Sequence, residues 1–260
     1  NTERQIMVIK DFHVTAICST PSYFIHLVER AGELGVDVRR LPLRVGVLRG
    51  PLRGGALDPE CVQAVDRMSR VLEQLGHHVE LSYPRALDET ESHMAFIGIF
   101  VANLARTLQL WCDRLGKELS REDLELSTWT LAEYGRQLPA TRLLAALDYM
   151  HAYGRRLAPW FTEFDLLLSP TLGAATLSLG TLTSTPEEPM RSAMRAAPYS
   201  AYTYPWNMSG QPAISLPGYM TPAGTPVGVQ LVAAMGREDL LLRVAAQIEV
   251  AAPWSHLRPA

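Results

Sequence analysis

One lysine and two serines are the residues of this chain that could carry nucleophilic chemistry. Lys10 lies in the run Val-Ile-Lys-Asp, and Ser209 and Ser215 flank the run Gly-Gln-Pro-Ala. A neutral lysine that activates a serine can hydrolyse a carbonyl compound, provided that the two side chains lie within hydrogen-bond reach. Neither serine lies in the Gly-x-Ser-x-Gly turn of one large class of hydrolases. We therefore interpret Ser209 as a turn serine and Ser215 as a strand serine.

The histidines and polar loops indicate neither a metal site nor a cofactor. His77 and His78 follow a predicted helix, and we expect them to cap its carbonyl groups. The remaining histidines lack the spacing of metal ligands; they are His13, His26, His93, His151 and His256. The run Ser19-Thr-Pro-Ser22 lacks the glycines and the lysine of a phosphate-binding loop, so we interpret it as a helix cap. The sequence thus predicts no metal and no cofactor.

Composition and charge are those of a soluble α/β protein. The chain has 260 residues, 47% of them hydrophobic, and a net charge of -3, which gives no reason to expect nucleic acid or an anionic membrane as a partner. The longest apolar stretch, Met94–Leu110, is interrupted by polar residues, so we expect no membrane span. The three cysteines are widely spaced, which predicts reduced thiols. The first residues are polar and do not resemble a signal peptide, so we expect a cytoplasmic location.

Strands alternate with helices along the chain, which favours a sheet covered by helices on both faces. A strand at 14–18 and a helix that begins near Thr20 lead to a second strand at Leu43–Leu48. The other predicted strands are His78–Leu81, Asp165–Ser169, Ala213–Leu216 and Val227–Val232. Helices are predicted from Asp58 to Gly76, Glu91 to Gly116, Ser120 to Gly135, Ala140 to Phe161 and Arg237 to Ala251. Residues 173–197, rich in Thr, Ser, Pro and Gly, are predicted to form a long surface loop of the kind that covers a site.

Several motifs between residues 42 and 260 resemble the C-terminal half of the amidase-signature hydrolases. They are Leu43-Arg-Val-Gly-Val-Leu48 with Asp58-Pro59, Asp165-Leu-Leu-Leu-Ser-Pro-Thr171, Asn207-Met-Ser-Gly-Gln-Pro-Ala-Ile-Ser-Leu-Pro217, Pro226-Val-Gly-Val-Gln-Leu-Val-Ala233, Gly236-Arg-Glu-Asp-Leu-Leu-Leu242 and Pro253-Trp254. Their order matches that of the family, and amidases that act on 6-aminohexanoate cyclic dimers are among the most similar. The resemblance implies an α/β fold with a mixed sheet, incomplete because only the C-terminal half is represented.

Residues 1–41 instead resemble phenylacetate–CoA ligase, an acyl-adenylating enzyme. The resemblance rests on Thr2-Glu-Arg-Gln5, Lys10-Asp-Phe12 and Cys18-Ser-Thr-Pro-Ser-Tyr23, followed by an amphipathic helix. We therefore expect two parts, a ligase-like strand–helix at 1–41 and an amidase region at 42–260, joined at a strand, Leu41–Val47, that suits both families. The glycine-rich phosphate loop and the lysine-bearing C-terminal domain that adenylation requires are not found in the sequence.

The amidase resemblance implies hydrolysis of carboxamides by a Ser–Ser–Lys triad, with a glycine-rich loop that donates N–H groups to the oxyanion. The serines of that family lie in a Gly-Gly-Ser-Ser-Gly-Gly-like run. No such run occurs here, since Gly54-Gly55 is followed by Ala56. We therefore interpret Lys10 as a solvated lysine, assign no catalytic residue, and expect the chain to be inactive alone.

An aromatic and polar loop before the strand at 213–216 is the candidate substrate-binding segment. The resemblance implies that Tyr202, Tyr204, Trp206 and Asn207 line an acyl or amine pocket for a small-molecule amide. The alternative is that the aromatic rings fill the gap between this loop and the core. By contrast, we expect Met94, Phe96, Ile97, Phe100 and Leu104 to form the buried stripe of a helix.

Other functions also fit the sequence. One alternative is a non-catalytic binding subunit that completes another amidase chain or pairs with itself through exposed sheet edges. A third possibility is a gene-fusion product without an evolved function, and a fourth is a fragment related to phenylacetate–CoA ligase.

Overall fold

A computed structural model of the chain describes residues 42–53, 55–174 and 176–254. The first part of the chain, which includes the ligase-like segment and Lys10, lies outside the described residues. Five strands form one mixed sheet: β1 (Arg44–Val47), β2 (His78–Leu81), β3 (Leu166–Pro170), β4 (Ala213–Met220) and β5 (Pro226–Ala233). Their order is β2-β1-β3-β5-β4. β1 runs parallel to β2 and β3, whereas β5 runs antiparallel to both β3 and β4. The predicted α/β fold with a mixed sheet is confirmed.

Seven α-helices connect or cover these strands within the described residues. They are α1 (Pro59–Gln74), α2 (Glu91–Leu115), α3 (Leu126–Arg136), α4 (Ala140–Leu157), α5 (Arg191–Ala196), α6 (Tyr204–Ser209) and α7 (Glu238–Ala251). Short 3-10 turns lie at Arg85–Asp88, Arg121–Asp123, Ala158–Thr162 and Tyr199–Tyr202. α1 begins as its sequence predicts, because the Asp58 carboxylate accepts a hydrogen bond from the Glu60 N–H at 2.9 Å and Pro59 follows the cap.

The sheet has a hydrophobic cluster on each face. Residues of α1 and α7 pack on one face, where Leu166 and Leu168 of β3 point. Residues of α2, α4 and α6 pack on the other face around Leu167. All three leucines are fully buried, because both faces of the central strands are covered and side chains alternate along a strand. The sequence pattern of near-continuous apolar residues in β3 follows from this arrangement.

Several predicted element boundaries were wrong for identifiable reasons. α4 stops at Leu157 and continues as a 3-10 turn, because Pro159 cannot donate a backbone hydrogen bond. β4 extends past Leu216 to Met220 despite Pro217. Among the described residues β4 is an outer strand, where a missing N–H is tolerated, and the register shifts between Pro217 and Tyr219. The predicted loop after Gly173 contains the short helix α5.

The predicted buried stripe of α2 was wrong for Met94 and Phe100, although Phe96 is half-buried and packs against the core. Met94 is 68% exposed and Phe100 is 44% exposed. The buried positions of this helix are instead Ser92, Ala95, Val101, Ala105, Leu108 and Cys112. Apolar residues surround most of α2, so their spacing alone did not determine which side faces the core.

α2 is also the one helix in the described part of the chain with the length and apolar composition to cross a membrane. Its most apolar window has a mean hydropathy of 1.4 and is 28% buried. Such a helix is weak support for a membrane span, because core helices of other proteins share these properties. The predicted cytoplasmic location stays a prediction.

Candidate functional site

Three chain segments meet at the carboxyl ends of β1 and β3. We call them the loop cluster, which comprises residues 48–53 with 55–58, 171–174 and 198–206. Asp58 N–H donates to the Gly173 carbonyl at 3.0 Å, and Gly173 N–H donates to the Tyr199 carbonyl at 3.3 Å. The Tyr202 hydroxyl donates to the Gly50 carbonyl at 3.0 Å. The carboxyl ends of strands are the usual position of ligand sites in open α/β sheets, so the loop cluster is the candidate site.

Close packing at Gly173 holds two of these segments together. A Cβ atom at this position would lie 2.8 Å from the Pro198 carbonyl oxygen and 3.4 Å from the Tyr202 ring. Any side chain would therefore push the segment at 171–174 away from the segment at 198–206. The absence of a side chain explains why a glycine follows Pro-Thr-Leu at the end of β3.

A buried glutamine anchors the loop cluster to the sheet. Gln230 of β5 is 4% exposed, and its Nε2 donates to the Tyr202 carbonyl at 2.9 Å and to Ser169 Oγ at 3.3 Å. Ser169 Oγ in turn donates to the Pro170 carbonyl at 3.0 Å. These polar groups are paired, as buried groups must be if they are not to destabilise the fold. The arrangement fixes the backbone at Tyr202 relative to β3 and β5.

Arg53 brings a positive charge into the loop cluster. It is the one described residue other than glycine with a positive φ, 50°. Its Nη1 donates to the Leu87 carbonyl at 2.9 Å, and its guanidinium carbon lies 5.0 Å from the centre of the Tyr204 ring. Burial lowers the pKa of the nearby His93, and the charge of Arg53 lowers it further. The site therefore combines a cation, aromatic rings and backbone carbonyls.

A cavity of about 570 Å³ adjoins the loop cluster at the carboxyl ends of β1 and β2. Gly50 lines it together with Arg49, Leu81, Tyr83 and Arg85. Its volume lies within the range that small-molecule sites occupy. Arg49 forms an ion pair with Asp66 at 2.7 Å. The cavity and the loop cluster share Gly50, so a molecule bound in the cavity would contact the loop cluster.

The four predicted pocket residues divide into a buried group and an exposed residue. Tyr202, Tyr204 and Trp206 are 3%, 2% and 4% exposed, and all three belong to the cluster between the sheet and its covering helices. Asn207 is exposed. Burial raises the pKa of Tyr202 to about 12, so its hydroxyl stays a neutral donor to Gly50. The aromatic rings thus fill the core, and a contact with substrate stays a prediction.

The serines considered as nucleophiles have no base beside them in the described part of the chain. Ser215 lies in β4, as predicted, and its Oγ is 2.9 Å from Thr171 Oγ1. Ser209 is the last residue of α6 and not a turn residue. Its Oγ is buried without a hydrogen-bond partner among the described residues. A serine needs an adjacent base to attack an amide, so neither serine has the arrangement of a nucleophile.

The prediction that the histidine pair caps helix carbonyls holds for the His77 backbone N–H, which donates to the Leu72 carbonyl at 3.0 Å, but is wrong for the His77 side chain. Its Nδ1 accepts a hydrogen bond from Leu43 N–H at 3.3 Å, and its Nε2 lies 3.3 Å from Gln247 Oε1. Because Nδ1 accepts a hydrogen bond, Nε2 carries the proton and donates a hydrogen bond to Gln247 Oε1. Burial lowers the pKa of His77, which favours this neutral form. In the described ranges, no three His, Cys, Asp or Glu side chains are grouped as metal ligands.

Sequence reasoning missed Gly50, Arg53, Gly173 and Gln230 as parts of the site. One signal was present for Gln230, because a polar residue interrupts the apolar run Val-Gly-Val-Gln-Leu-Val in a strand that is buried on both faces. No comparable signal identified Arg53, whose partners lie 34 and 148 positions away in the sequence.

Comparisons with known proteins agree with the α/β fold. Residues 24–242 match the protein family described as Amidase. The chain is 38% identical over 232 residues to 6-aminohexanoate-cyclic-dimer hydrolase of Pseudomonas sp. strain NK87, covering 86% of this chain and 47% of that protein. It is 39% identical to the enzyme of the same name from Paenarthrobacter ureafaciens, with the same coverage.

A solved structure of 6-aminohexanoate cyclic dimer hydrolase complexed with substrate has a TM-score of 0.78 and 39% sequence identity to this chain. The match covers 84% of this chain and 47% of that one. A bacterial aryl acylamidase with 19% identity and a TM-score of 0.65 shares the fold. The chain thus spans about half the length of the curated relatives it matches.

The comparisons do not support a ligase-like segment at residues 1–41, since the match to the Amidase family begins at residue 24, inside that segment. The family match over residues 24–242, together with the shared mixed-sheet fold, leads to one conclusion: the chain belongs to the amidase family.

Proposed function

We propose that this chain forms the substrate-pocket wall of an amidase that acts on small-molecule carboxamides, and that it does not hydrolyse amides alone. The relatives with 38% and 39% identity are hydrolases of the 6-aminohexanoate cyclic dimer. A molecule of that kind, apolar with neutral amide groups, is the substrate class that we propose for the pocket.

One observation carries the proposal: the part of the chain that the structure describes contains a pocket but no serine with a hydrogen-bonded base. The cavity of about 570 Å³ lies at the carboxyl ends of β1 and β2 beside the loop cluster. No Gly-Gly-Ser-Ser-Gly-Gly-like run occurs in the 260 residues. In the described part of the chain, Ser209 and Ser215 have no hydrogen-bonded base. A pocket without an activated nucleophile binds an amide but does not cleave it.

The polar groups of the loop cluster suit a neutral amide. Arg49 and Arg85 line the cavity and can donate to an amide oxygen, while Gly50 offers an open position beside them. A Cβ at Gly50 would meet no atom within 4 Å, so the space beside it is available to a ligand. The buried Tyr202 holds Gly50 in position, because the Tyr202 hydroxyl donates a hydrogen bond to the Gly50 carbonyl.

The proposal is tested by incubating the purified chain with 6-aminohexanoate cyclic dimer and measuring the primary amine released. We expect no release above that of the buffer, and the same result for Lys10→Ala. Robust turnover that is lost in Lys10→Ala would contradict the proposal, because Lys10 would then be a catalytic base.

Binding is measured separately by calorimetry with the same cyclic dimer. We expect saturable binding that Gly50→Leu abolishes, since the new side chain would occupy the open space at this position. The melting temperature of Gly50→Leu should match that of the wild type. Undiminished binding by a folded Gly50→Leu chain would remove the cavity from the proposed site.

A second candidate function is that of a subunit that completes another amidase chain or pairs with itself. The observation in its favour is β4, an eight-residue strand at the end of the sheet order among the described residues. Such an edge offers backbone groups to another strand. Size-exclusion chromatography with light scattering tests this function, and a monomer at all concentrations would count against it.

The chimeric origin is a separate proposal about the gene, which the comparisons do not support, because the match to the Amidase family begins at residue 24 and runs across the Leu41–Val47 strand. It predicts that the sequences before and after the shared strand at Leu41–Val47 come from two loci. High-fidelity sequencing of genomic DNA across codons 38–50 tests it, and an uninterrupted genomic read would contradict it.

A further inference from the structure

The described sheet ends at two strands, β2 and β4, whose outer edges are protected to different degrees. β2 is four residues long, and its Glu80 forms an ion pair with Arg44 at 2.6 Å. Short length and charged side chains are common at natural sheet edges, because they discourage a further strand from pairing there. β4 is eight residues long and contains no charged residue. Of the two ends of the described sheet, β4 is therefore the one suited to accept another strand.

Protection of the β4 edge is confined to the second half of the strand. Pro217 has no N–H to offer to a neighbouring strand, and the pairing with β5 shifts in register between Pro217 and Tyr219. The first half, Ala213–Leu216, pairs with β5 without interruption. Among the described residues, no strand pairs with its outer edge. A strand added to the sheet would therefore pair with Ala213–Leu216.

One face of β4 is also uncovered. Ala213 is paired with Val232 of β5, so the two side chains point to the same face of the sheet. The same holds for Ser215 and Gln230. Both β5 side chains are buried, whereas both β4 side chains are exposed. The helices α2, α4 and α6 thus cover this face as far as β5 and stop before β4, while α1 and α7 contact β4 from the opposite face.

The uncovered face of β4 adjoins the loop cluster. Ser215 Oγ lies 2.9 Å from Thr171 Oγ1, and Thr171 N–H donates to the Gly228 carbonyl at 3.3 Å. A Cβ at Gly228 would lie 3.1 Å from both hydroxyl oxygens, so the glycine leaves room for this pair. Leu172, the next residue of the loop cluster, is 45% exposed. We call this uncharged area the β4 surface, which comprises Thr171, Leu172, Ala213, Ser215 and Pro217.

The comparisons favour one occupant of the β4 surface. The solved structure of 6-aminohexanoate cyclic dimer hydrolase has a TM-score of 0.78 to this chain, but the match covers 47% of it. About half of that relative is therefore not matched here, and the amidase resemblance implies that the Gly-Gly-Ser-Ser-Gly-Gly-like run lies in that half. A second copy of this chain would not supply the run, because it does not occur in the 260 residues. An amidase segment that contains the run would bring a nucleophile next to the loop cluster.

We propose that the β4 surface is the docking site of an amidase segment that carries the Gly-Gly-Ser-Ser-Gly-Gly-like run. One strand of the segment pairs with Ala213–Leu216 and extends the sheet, and the rest of the segment covers the exposed face of β4. The docked segment contacts Thr171 and Leu172 and so borders the loop cluster. Docking at this surface rests on the function proposed above, in which the chain holds a pocket but does not hydrolyse amides alone.

The test is coexpression of the tagged full chain with the part of 6-aminohexanoate-cyclic-dimer hydrolase of Pseudomonas sp. strain NK87 that this chain does not match. The two parts fold together in the cell, so neither has to be stable alone. We expect a one-to-one complex in affinity and size-exclusion chromatography, with a dissociation constant of about 1 µM or below. A segment that is missing from the eluate of the wild-type chain would overturn the proposal.

The variant Ala213→Arg tests the position of the interface. Its arginine would place a charge beneath the docked segment, which is costly without a partner. We expect the complex to weaken at least about tenfold, while the melting temperature of the chain alone stays the same, because Ala213 is exposed. The matched control is Ala246→Arg, at an exposed position of α7 on the other side of the sheet, and it should leave the complex unchanged. Equal affinities of the two variants for the segment would contradict the assigned surface.

Hydrogen exchange locates the contact without any substitution. In the complex, the outward-facing backbone amides of Ala213–Leu216 should exchange at least about tenfold more slowly than in the chain alone, because an added strand accepts their hydrogen bonds. The amides of β2, His78–Leu81, should exchange at the same rate in both samples. Slower exchange in β2 together with an unchanged rate in β4 would place the segment at the other end of the sheet and overturn the proposal.

Failure of the docking site and failure of the proposed function have separate readouts. Release of amine from the cyclic dimer by the chain alone would refute the proposed function. A chain that is inactive alone, binds the cyclic dimer and retains no segment would refute only the docking site.

Discussion

Replacing Gln230 by leucine removes the side chain that ties the loop cluster to the sheet. Gln230 Nε2 donates to the Tyr202 carbonyl at 2.9 Å and to Ser169 Oγ at 3.3 Å. Leucine has a similar volume, so the change leaves no large cavity. Ser169 Oγ keeps its own bond to Pro170, so the main loss falls on the buried Tyr202 carbonyl. An acceptor left without a partner costs about 1–3 kcal/mol.

We therefore expect Gln230→Leu to lower the free energy of unfolding by about 2 kcal/mol. For a domain of this length, the melting temperature should fall by about 4–8 °C. Urea titration and thermal melting, both followed by circular dichroism, give the two quantities. The control is Gln137→Leu, because that glutamine is exposed and should change the free energy by less than about 0.5 kcal/mol. Equal stability of Gln230→Leu and the wild type would refute the view that this glutamine holds the site.

Three further changes test the same structure. Tyr202→Phe removes the hydroxyl that donates to Gly50 and should cost about 1 kcal/mol in a urea titration; an unchanged midpoint would show that this bond contributes nothing. Gly173→Ala places a Cβ 2.8 Å from the Pro198 carbonyl oxygen and should cost about 1–3 kcal/mol by the same assay, whereas a neutral effect would mean that the two segments separate freely. Burial lowers the pKa of His77 below its ordinary value of 6.5, so the unfolded chain binds the proton more readily and stability is lost as the pH falls through that value. Between about pH 8 and about pH 5, His77→Gln should therefore lose less stability than the wild type, and equal losses would contradict the assigned neutral form.

Local sequence signals predicted the elements that depend on local chemistry. The Asp58 cap with Pro59 predicted the start of α1, and alternating strands and helices predicted a sheet covered on both faces. The strand at His78–Leu81 was predicted with the bounds that the structure has. These predictions succeed because caps, prolines and apolar periodicity act within a few residues.

The predictions that failed concern contacts between distant parts of the chain. Met94 and Phe100 face solvent although they belong to an apolar helix, because the neighbouring helices determine which side of α2 is covered. His77 binds Leu43 and Gln247, which lie 34 and 170 positions away. The loop cluster depends equally on distant contacts, since Arg53 reaches Leu87 and Ala201. No local pattern encodes such pairs.

The aromatic segment before β4 has the alternative role considered from the sequence, in which its rings fill the gap between the loop and the core. Tyr202, Tyr204 and Trp206 lie at the candidate site, yet their rings are buried in the core. Tyr202 reaches the loop cluster through its hydroxyl, and its backbone carbonyl binds Gln230. The segment therefore holds the loop cluster in position against the sheet. The substrate contact that the resemblance implies for this segment stays a prediction, whereas the burial of its three rings follows from the packing.

The central proposal is that this chain contributes one side of a substrate pocket and has no activated nucleophile among the residues that the structure describes. Incubation of the purified chain with a fluorophosphonate, followed by intact-protein mass spectrometry, tests it most directly. Fluorophosphonates modify serines that a neighbouring base activates, and Ser209 and Ser215 have no such base among the described residues. We predict a mass that is unchanged by the reagent. A stoichiometric adduct on one serine of the folded chain would contradict the claim.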